Sequence, residues 1–168
     1  IKELGLIDVL FLENINKVIP CSQVIGIWTM LEVDDIYPFT RNELNLMKDI
    51  RNAIKNNPLA YTTLYYYDLY PCTVAGEIIG ISKKEIMDNY NSMPIHKRGD
   101  IVVDSYDLID YLNIEDGPIM SKLWRKLELS ILNLEVSNTK EELLNLAKKI
   151  YTSINLVKEE SNETETTG

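Results

Sequence analysis

Two aspartates one residue apart, set behind a Gly-Ser hairpin, would hold a pair of divalent metals for nucleotidyl transfer. The nearest approach to that pattern is Glu32-Val33-Asp34-Asp35, and no such hairpin precedes it. It reads instead as the solvated acidic end of a helix. His96 is the only histidine, and it stands beside Lys97 and Arg98 without a nucleophile or second ligand near it. Cys21 and Cys72 are far apart, and neither has a second Cys or His close by, so they suggest neither a disulfide framework nor a zinc site. There is no Gly-x-x-x-x-Gly-Lys phosphate loop, no His-Glu-x-x-His and no Gly-x-Ser-x-Gly. Chemistry of the catalytic or metal-binding kind is therefore not expected from these residues.

Binding chemistry is better represented. Gly117-Pro118 opens a long helical pattern. A helix amino terminus presents free N–H groups and a partial positive charge, so a phosphate could bond the N–H groups of Ile119 and Met120. On the same helix Lys122, Arg125 and Lys126 stand at i, i+3 and i+4 and form one basic ridge. Lys97 and Arg98 would add a second contact if the chain folds back alongside. The rival reading is a capped helix with a solvated charged face, and Glu115 and Asp116 would oppose an anion at its start. The tyrosines between Tyr61 and Tyr70 are a candidate stacking platform for bases, or an amphipathic edge to a core.

The elements that must position these residues read as helices. Thr40-Arg41-Asn42-Glu43, Ser82-Lys83-Lys84-Glu85 and Asn138-Thr139-Lys140-Glu141 each have the spacing of a capping box. Leu44, Met47, Ile50 and Ile54 follow the first at helical steps, and Asn56-Asn57-Pro58 stops that helix. Leu143, Leu144, Ala147, Ile150, Tyr151 and Ile154 follow the third. Leu4, Ile7, Leu10 and Phe11 share a helical face, and Ser22 to Leu31 reads as a helix apolar nearly all round, hence buried. Leu59 to Tyr70 has strand propensity. It is still expected to be helical, because a lone strand would have nothing to pair with. Met93 to Val136 reads as a short extended stretch near Ile101 to Val103, a short helix capped by Asp104 or Ser105, a tight turn at Gly117-Pro118, and a long helix.

The chain has 168 residues, 45% hydrophobic and 26% charged, which suits one or two soluble globular domains. Its formal charge of −9 disfavours nucleic acid as a whole, so any such role must come from a local cluster. Most of the basic residues lie from Lys83 onward. No apolar run is long enough to span a membrane, and the expected compartment is the cytoplasm. The chain opens on Ile1 and is expected to be a piece of something longer. The fold class expected is all-α: a helical body over residues 1–92, a helical tail over 93–157, and a disordered acidic end over 158–168.

The run Met93-Pro94-Ile95-His96-Lys97-Arg98-Gly99-Asp100-Ile101-Val102-Val103-Asp104-Ser105-Tyr106-Asp107-Leu108-Ile109 resembles the carboxy-terminal part of bacterial CCA-adding enzymes. Its sequel does too: Gly117-Pro118, Leu123, Leu127, Glu135-Val136, Asn138, Lys140 and Glu141. Ser105 stands where that family usually has Gly. Leu134 replaces the Gly before Glu135, which suggests a different helix ending there.

The resemblance implies a body and tail whose role is to hold tRNA, the tail gripping its elbow. A head domain, preceding a neck in the same polypeptide, would add C, C and A to the 3′ end using Mg2+ with CTP and ATP. This chain alone is then expected to bind tRNA without catalysing, with Lys97, Arg98, Gly117, Pro118, Lys122, Arg125 and Lys126 as candidate contacts. A bacterial poly(A) polymerase, or an enzyme adding only CC or A, would share such a tail. A helical protein–protein module and a helix-hairpin-helix binder of duplex DNA are alternatives from other classes. The latter usually has a Gly on each side of one apolar residue, which Asp116-Gly117-Pro118 lacks.

Overall fold

The computed structural model describes residues 14–35, 37–115 and 117–165, with side chains as far as 154. Among these residues the secondary structure is eight α-helices and one 3-10 turn, with no strand, so the fold is all-α. The helix expected around Leu4 to Phe11 lies outside the described residues. The chain divides into two compact units between Ser92 and Met93.

The first unit contains α1 (Val24–Leu31), α2 (Arg41–Lys55), α3 (Tyr61–Tyr67), α4 (Leu69–Ile79) and α5 (Lys83–Asn91). Helix α4 packs against each of the other four. Met47, Ile50 and Ala53 of α2 meet a core that also holds Leu64, Val74, Ala75 and Ile86, all essentially inaccessible to solvent. Thr40 opens α2 as its spacing predicts: its hydroxyl accepts from the Glu43 N–H, and the Glu43 carboxylate accepts from the Thr40 N–H at 2.7 Å. Ser82 caps α5 by accepting from the Glu85 N–H at 3.2 Å.

The tyrosine-rich stretch is helical, as expected, but it is two helices rather than one. Asp68, at φ 69°, breaks it between α3 and α4. Helix α1 is shorter and less buried than its composition suggests. It begins at Val24, which is 66% exposed, and it buries only Gly26, Thr29 and Leu31. One face packs on α2 and α4. Trp28 instead stacks on Tyr37, with ring centroids 5.2 Å apart, and meets Phe39 edge-on.

The second unit contains the 3-10 turn Arg98–Asp100, then α6 (Ser105–Leu112), α7 (Pro118–Leu132) and α8 (Lys140–Glu165). Helices α6 and α7 both pack on α8. Asp104 caps α6 in a full capping box with Asp107. Leu108, Leu123, Leu127, Ile131, Leu143 and Ala147 form the centre of the core, each apolar side chain of this size contributing about 1.5–3 kcal/mol by leaving water.

Two expectations for this unit are corrected, and a third concerns the end of α7. Asn138 does not cap α8 in the predicted box. Its amide instead donates to the Asp100 carbonyl at 2.8 Å and accepts from the Val102 N–H at 3.1 Å, tying the approach to α8 to the Asp100–Val102 segment. Glu142 reaches back to the Ser137 N–H at 2.8 Å. At the end of α7, where Leu134 replaces the family's glycine, the helix is closed without one. Leu134 itself takes the left-handed conformation, φ 59°, and the Glu135 N–H bonds the Ser130 carbonyl at 2.9 Å, the Schellman pattern. Finally, α8 continues to Glu165, so residues 158–165 are helical where the acidic composition predicts disorder. Lys and Glu are good helix formers, and they extend a helix already nucleated upstream.

Candidate nucleic-acid interface

Helix α7 sorts its residues by face. Met120, Leu123, Trp124, Leu127 and Ile131 are buried, while Lys122, Arg125 and Lys126 are exposed. The three cations line a groove of about 420 Å³, together with Leu129, Ser130, Asn133, Glu135 and Ile154. None of them has a carboxylate partner among the ion pairs of the described residues. A cation held in the open at a groove edge, without an internal partner, is what a phosphate needs.

The amino terminus of α7 offers less than its sequence suggests. Pro118 is the first helical residue, as expected. The Met120 N–H, however, already bonds the Gly117 carbonyl at 2.9 Å, so it is not free for an anion. Gly117 has an extended backbone, φ 171°, that any residue adopts, and a Cβ there would meet nothing within 4 Å. Glu115 is exposed near this turn.

Lys97 and Arg98 separate in role. Lys97 is exposed, and its N–H donates to the Asp100 carboxylate at 3.1 Å. That carboxylate also accepts from the His96 N–H at 2.8 Å, and these bonds hold its pKa below the usual value. Arg98 does fold back onto α7. Its Nε donates to Glu128 at 2.6 Å, and its guanidinium carbon lies 5.5 Å from the centre of the Trp124 ring. Glu128 is 4% exposed, so this pair is part of how the turn is fixed to the helix. Sequence reasoning missed Glu128. The signal was an acid four residues after Trp124, on the apolar side of the helix.

The other candidates are placed as follows. Asp34 receives Arg51 in a two-pronged ion pair of 2.7 and 2.6 Å, and the guanidinium lowers its pKa. Both carboxylate oxygens are thereby occupied, and among the described residues no cluster of His, Cys, Asp or Glu has the makings of a metal site. Burial pushes the Cys72 thiol up to about 12, so it stays protonated and inert at neutral pH. Tyr66 and Tyr70 are about half exposed. Tyr65 and Tyr66 meet edge-on at 88°, which is not a flat stacking surface. The first unit also has a cleft of about 710 Å³ lined by Tyr70, Thr73, Glu77, Ile81, Lys83 and Met87 among others. Glu77 there is engaged by the Ser22 N–H and hydroxyl at 2.6 and 2.7 Å.

Known proteins agree with this architecture. The model of the family tRNA nucleotidyltransferase domain 2 matches residues 40–147. The CCA-adding enzyme of Staphylococcus epidermidis is 24% identical over 109 residues, which is 65% of this chain and 24% of that protein. The CCA-adding enzyme of Ligilactobacillus salivarius is 29% identical over 102 residues, 58% of this chain and 25% of that protein. The chain thus spans about a quarter of the length of the curated relatives it matches. The crystal structure of the Bacillus stearothermophilus CCA-adding enzyme in complex with CTP shares its fold, with a TM-score of 0.65 at 17% identity over 84% of this chain and 40% of that one. No described helix is long and apolar enough to cross a membrane. With the family match spanning both units and more than half of the residues, the chain belongs to the tRNA nucleotidyltransferase domain 2 family.

Proposed function

We propose that this chain is the tRNA-holding body and tail of a CCA-adding nucleotidyltransferase. In this reading it anchors the tRNA elbow while a head and neck of the same polypeptide add C, C and A to the 3′ end with Mg2+, CTP and ATP. The observation that carries it is the ridge of Lys122, Arg125 and Lys126, exposed at a groove in a member of this family. An enzyme that must accept every tRNA has to grip shape and phosphates rather than sequence. A distant anchor then presents the 3′ end in reactive geometry.

The test is binding of a tRNA lacking its 3′ end, with Arg125→Ala/Lys126→Ala as the variant. Both side chains are exposed and unpaired among the described residues, so the melting temperature should hold. Affinity should fall several-fold at low salt, where phosphate contacts are strongest. For the wild-type chain, four phosphate contacts would give a slope of about −3 in log affinity against log salt. Unchanged affinity in a folded double variant would move the binding face elsewhere. Incorporation of CTP or ATP by this chain alone would contradict the division of labour.

A further inference from the structure

The groove beside the ridge does not stop at α7. Ser130 and Glu135 line it together with Lys122, Arg125 and Lys126. The same two residues line an adjoining groove that continues along α8 past Asn145 to Lys149. Asn145 and Lys149 in turn line a third concavity with Lys148 and Thr152. Shared lining residues make these one track, which carries Lys122, Arg125, Lys126, Lys148 and Lys149 and two carboxylates, Glu142, which accepts from the Ser137 N–H at 2.8 Å, and Glu135.

The Glu135 carboxylate is exposed and held in place. The Ser130 hydroxyl donates to one of its oxygens at 2.9 Å, and the Asn133 amide donates to the other at 3.4 Å. Its backbone is fixed by the bond from its N–H to the Ser130 carbonyl. No cation pairs with it among the ion pairs of the described residues. A fixed carboxylate on a phosphate track is a repulsive element if phosphates are all that bind. It becomes useful if the ligand presents a neutral hydrogen-bond donor between its phosphates. The RNA backbone carries such a donor, the ribose 2′-hydroxyl, and the DNA backbone does not.

We propose that the track between α7 and α8 selects RNA over DNA, with Glu135 accepting from a ribose 2′-hydroxyl while Lys122, Arg125, Lys126 and Lys149 hold neighbouring phosphates. The inference rests on the tRNA-binding reading and adds a means of refusing DNA. It also extends the contact onto a helix that the ridge alone leaves out.

The experiment compares three hairpins of one sequence, made of RNA, of 2′-O-methyl RNA and of DNA, by fluorescence anisotropy at low salt. The wild-type chain should prefer RNA several-fold over both others, since 2′-O-methyl RNA keeps the RNA helix form but has lost the hydroxyl donor. Glu135→Ala should bring the RNA-to-DNA ratio towards one. Glu135→Gln keeps an acceptor oxygen and should keep a preference for RNA. Lys149→Ala should weaken RNA and DNA alike and flatten the salt slope by about 0.7–0.9. Equal wild-type binding of RNA and 2′-O-methyl RNA overturns the inference without any variant having to fold. So does a Glu135→Ala chain that shifts RNA and DNA by the same factor, or a Lys149→Ala chain that binds as the wild type does. Binding of tRNA but of none of the three hairpins overturns this inference alone, whereas failure to bind tRNA as well overturns the tRNA-holding reading and this inference with it.

Discussion

In the first unit, side chains close over two glycines so tightly that an added methyl group would force them to shift. A Cβ at Gly76 would run into the Ile86 side chain, and one at Gly26 would run into Cys21 and press on Val74 at 3.1 Å. In the second unit, polar side chains do much of the tying. Asn138 reaches both Asp100 and Val102, Arg98 reaches Glu128, and Lys140 bonds Asp107 at 2.5 Å across α6 and α8. The first unit has one ion pair among the described residues, Arg51 on Asp34, and the second has two, Arg98 on Glu128 and Lys140 on Asp107, but the second also sets three unpaired cations on α7 facing one groove. The exposed cations on the helices of the first unit, Arg41, Lys48, Lys55, Lys83 and Lys84, stand a heptad apart along α2 or at the start of α5, whereas Lys122, Arg125 and Lys126 sit within two turns and line one groove. That difference is why the candidate interface falls in the second unit.

The largest expected effect tests the packing half of this contrast. Ile50 is fully buried where α2 meets the core. Ile50→Ala should lower stability by about 2–5 kcal/mol, the transfer cost plus the cavity left behind, read as a shift in the urea midpoint. The clamp at Asn138 has two hydrogen bonds, so Asn138→Ala should cost less, about 1–3 kcal/mol. Equal losses in the two variants would break the comparison.

The next effect is asymmetric. Arg98→Ala leaves the buried Glu128 carboxylate without its guanidinium, whereas Glu128→Gln leaves an Arg98 whose side chain is 57% exposed and can turn to water. Removing the arginine should therefore cost about 1–3 kcal/mol, and the Gln variant less. Arg98→Ala should also leave tRNA affinity nearly unchanged once the chain is folded. A several-fold loss of affinity in a folded Arg98→Ala chain would place Arg98 with the RNA contacts and blur the division between clamp and interface.

These cases also show how far residue spacing reaches. Local signals were legible: Thr40 with Glu43, Pro118 at the first helical position, and the i, i+3, i+4 ridge are set by neighbours within one turn. The same local logic misread Asn138, whose spacing to Glu141 imitates a capping box while its partners lie more than 30 residues upstream. Glu128 has no local sign of its partner, because Arg98 folds onto it from 30 residues away. The acceptor at Glu135 and the cation at Lys149 become one surface only when α7 and α8 lie side by side, which no single-helix pattern reveals. The break at Asp68 was hidden for a different reason. An aspartate at positive φ is tolerated but not demanded, so the residue type alone does not announce it.

A smaller effect concerns acid. Arg51 holds the Asp34 pKa below its ordinary value. A depressed carboxylate adds stability above its unfolded pKa of about 3.9 and loses it as pH falls through the folded value. The stability gap between the wild-type chain and Asp34→Asn should be constant from pH 7 to about 5 and narrow below about 4. Urea midpoints at pH 7, 5 and 3 read it directly. Asp107 is shifted the same way by Lys140, but through a single bond from a lysine twice as exposed as Arg51, so screening weakens the pair. Its Asn variant should narrow less. If Asp107→Asn is the more acid-sensitive comparison, the claim that the two-pronged Arg51–Asp34 pair is the stronger of the two fails.

The smallest effect has the opposite sign. Leu134 closes α7 in the left-handed conformation at φ 59°, with the backbone bonds of a Schellman ending, although it has a Cβ that glycine would not. That conformation costs a residue with a side chain about 1–2 kcal/mol. Leu134 is 67% exposed, so little burial offsets the cost. Leu134→Gly relieves the backbone but gives the unfolded chain more freedom to lose, which offsets up to about 1 kcal/mol of the gain. The net should be a stabilisation of about 1 kcal/mol or less, seen as a rise in melting temperature of a few degrees. The carboxylate of Glu135, one residue on, is held by the same turn, so the variant should also keep the RNA preference proposed for that track. Destabilisation on removing Leu134 would mean that its side chain supports the end of α7 in a way its exposure does not suggest. The second unit would then owe more to apolar contact, and less to polar clamps, than the contrast with the first unit allows.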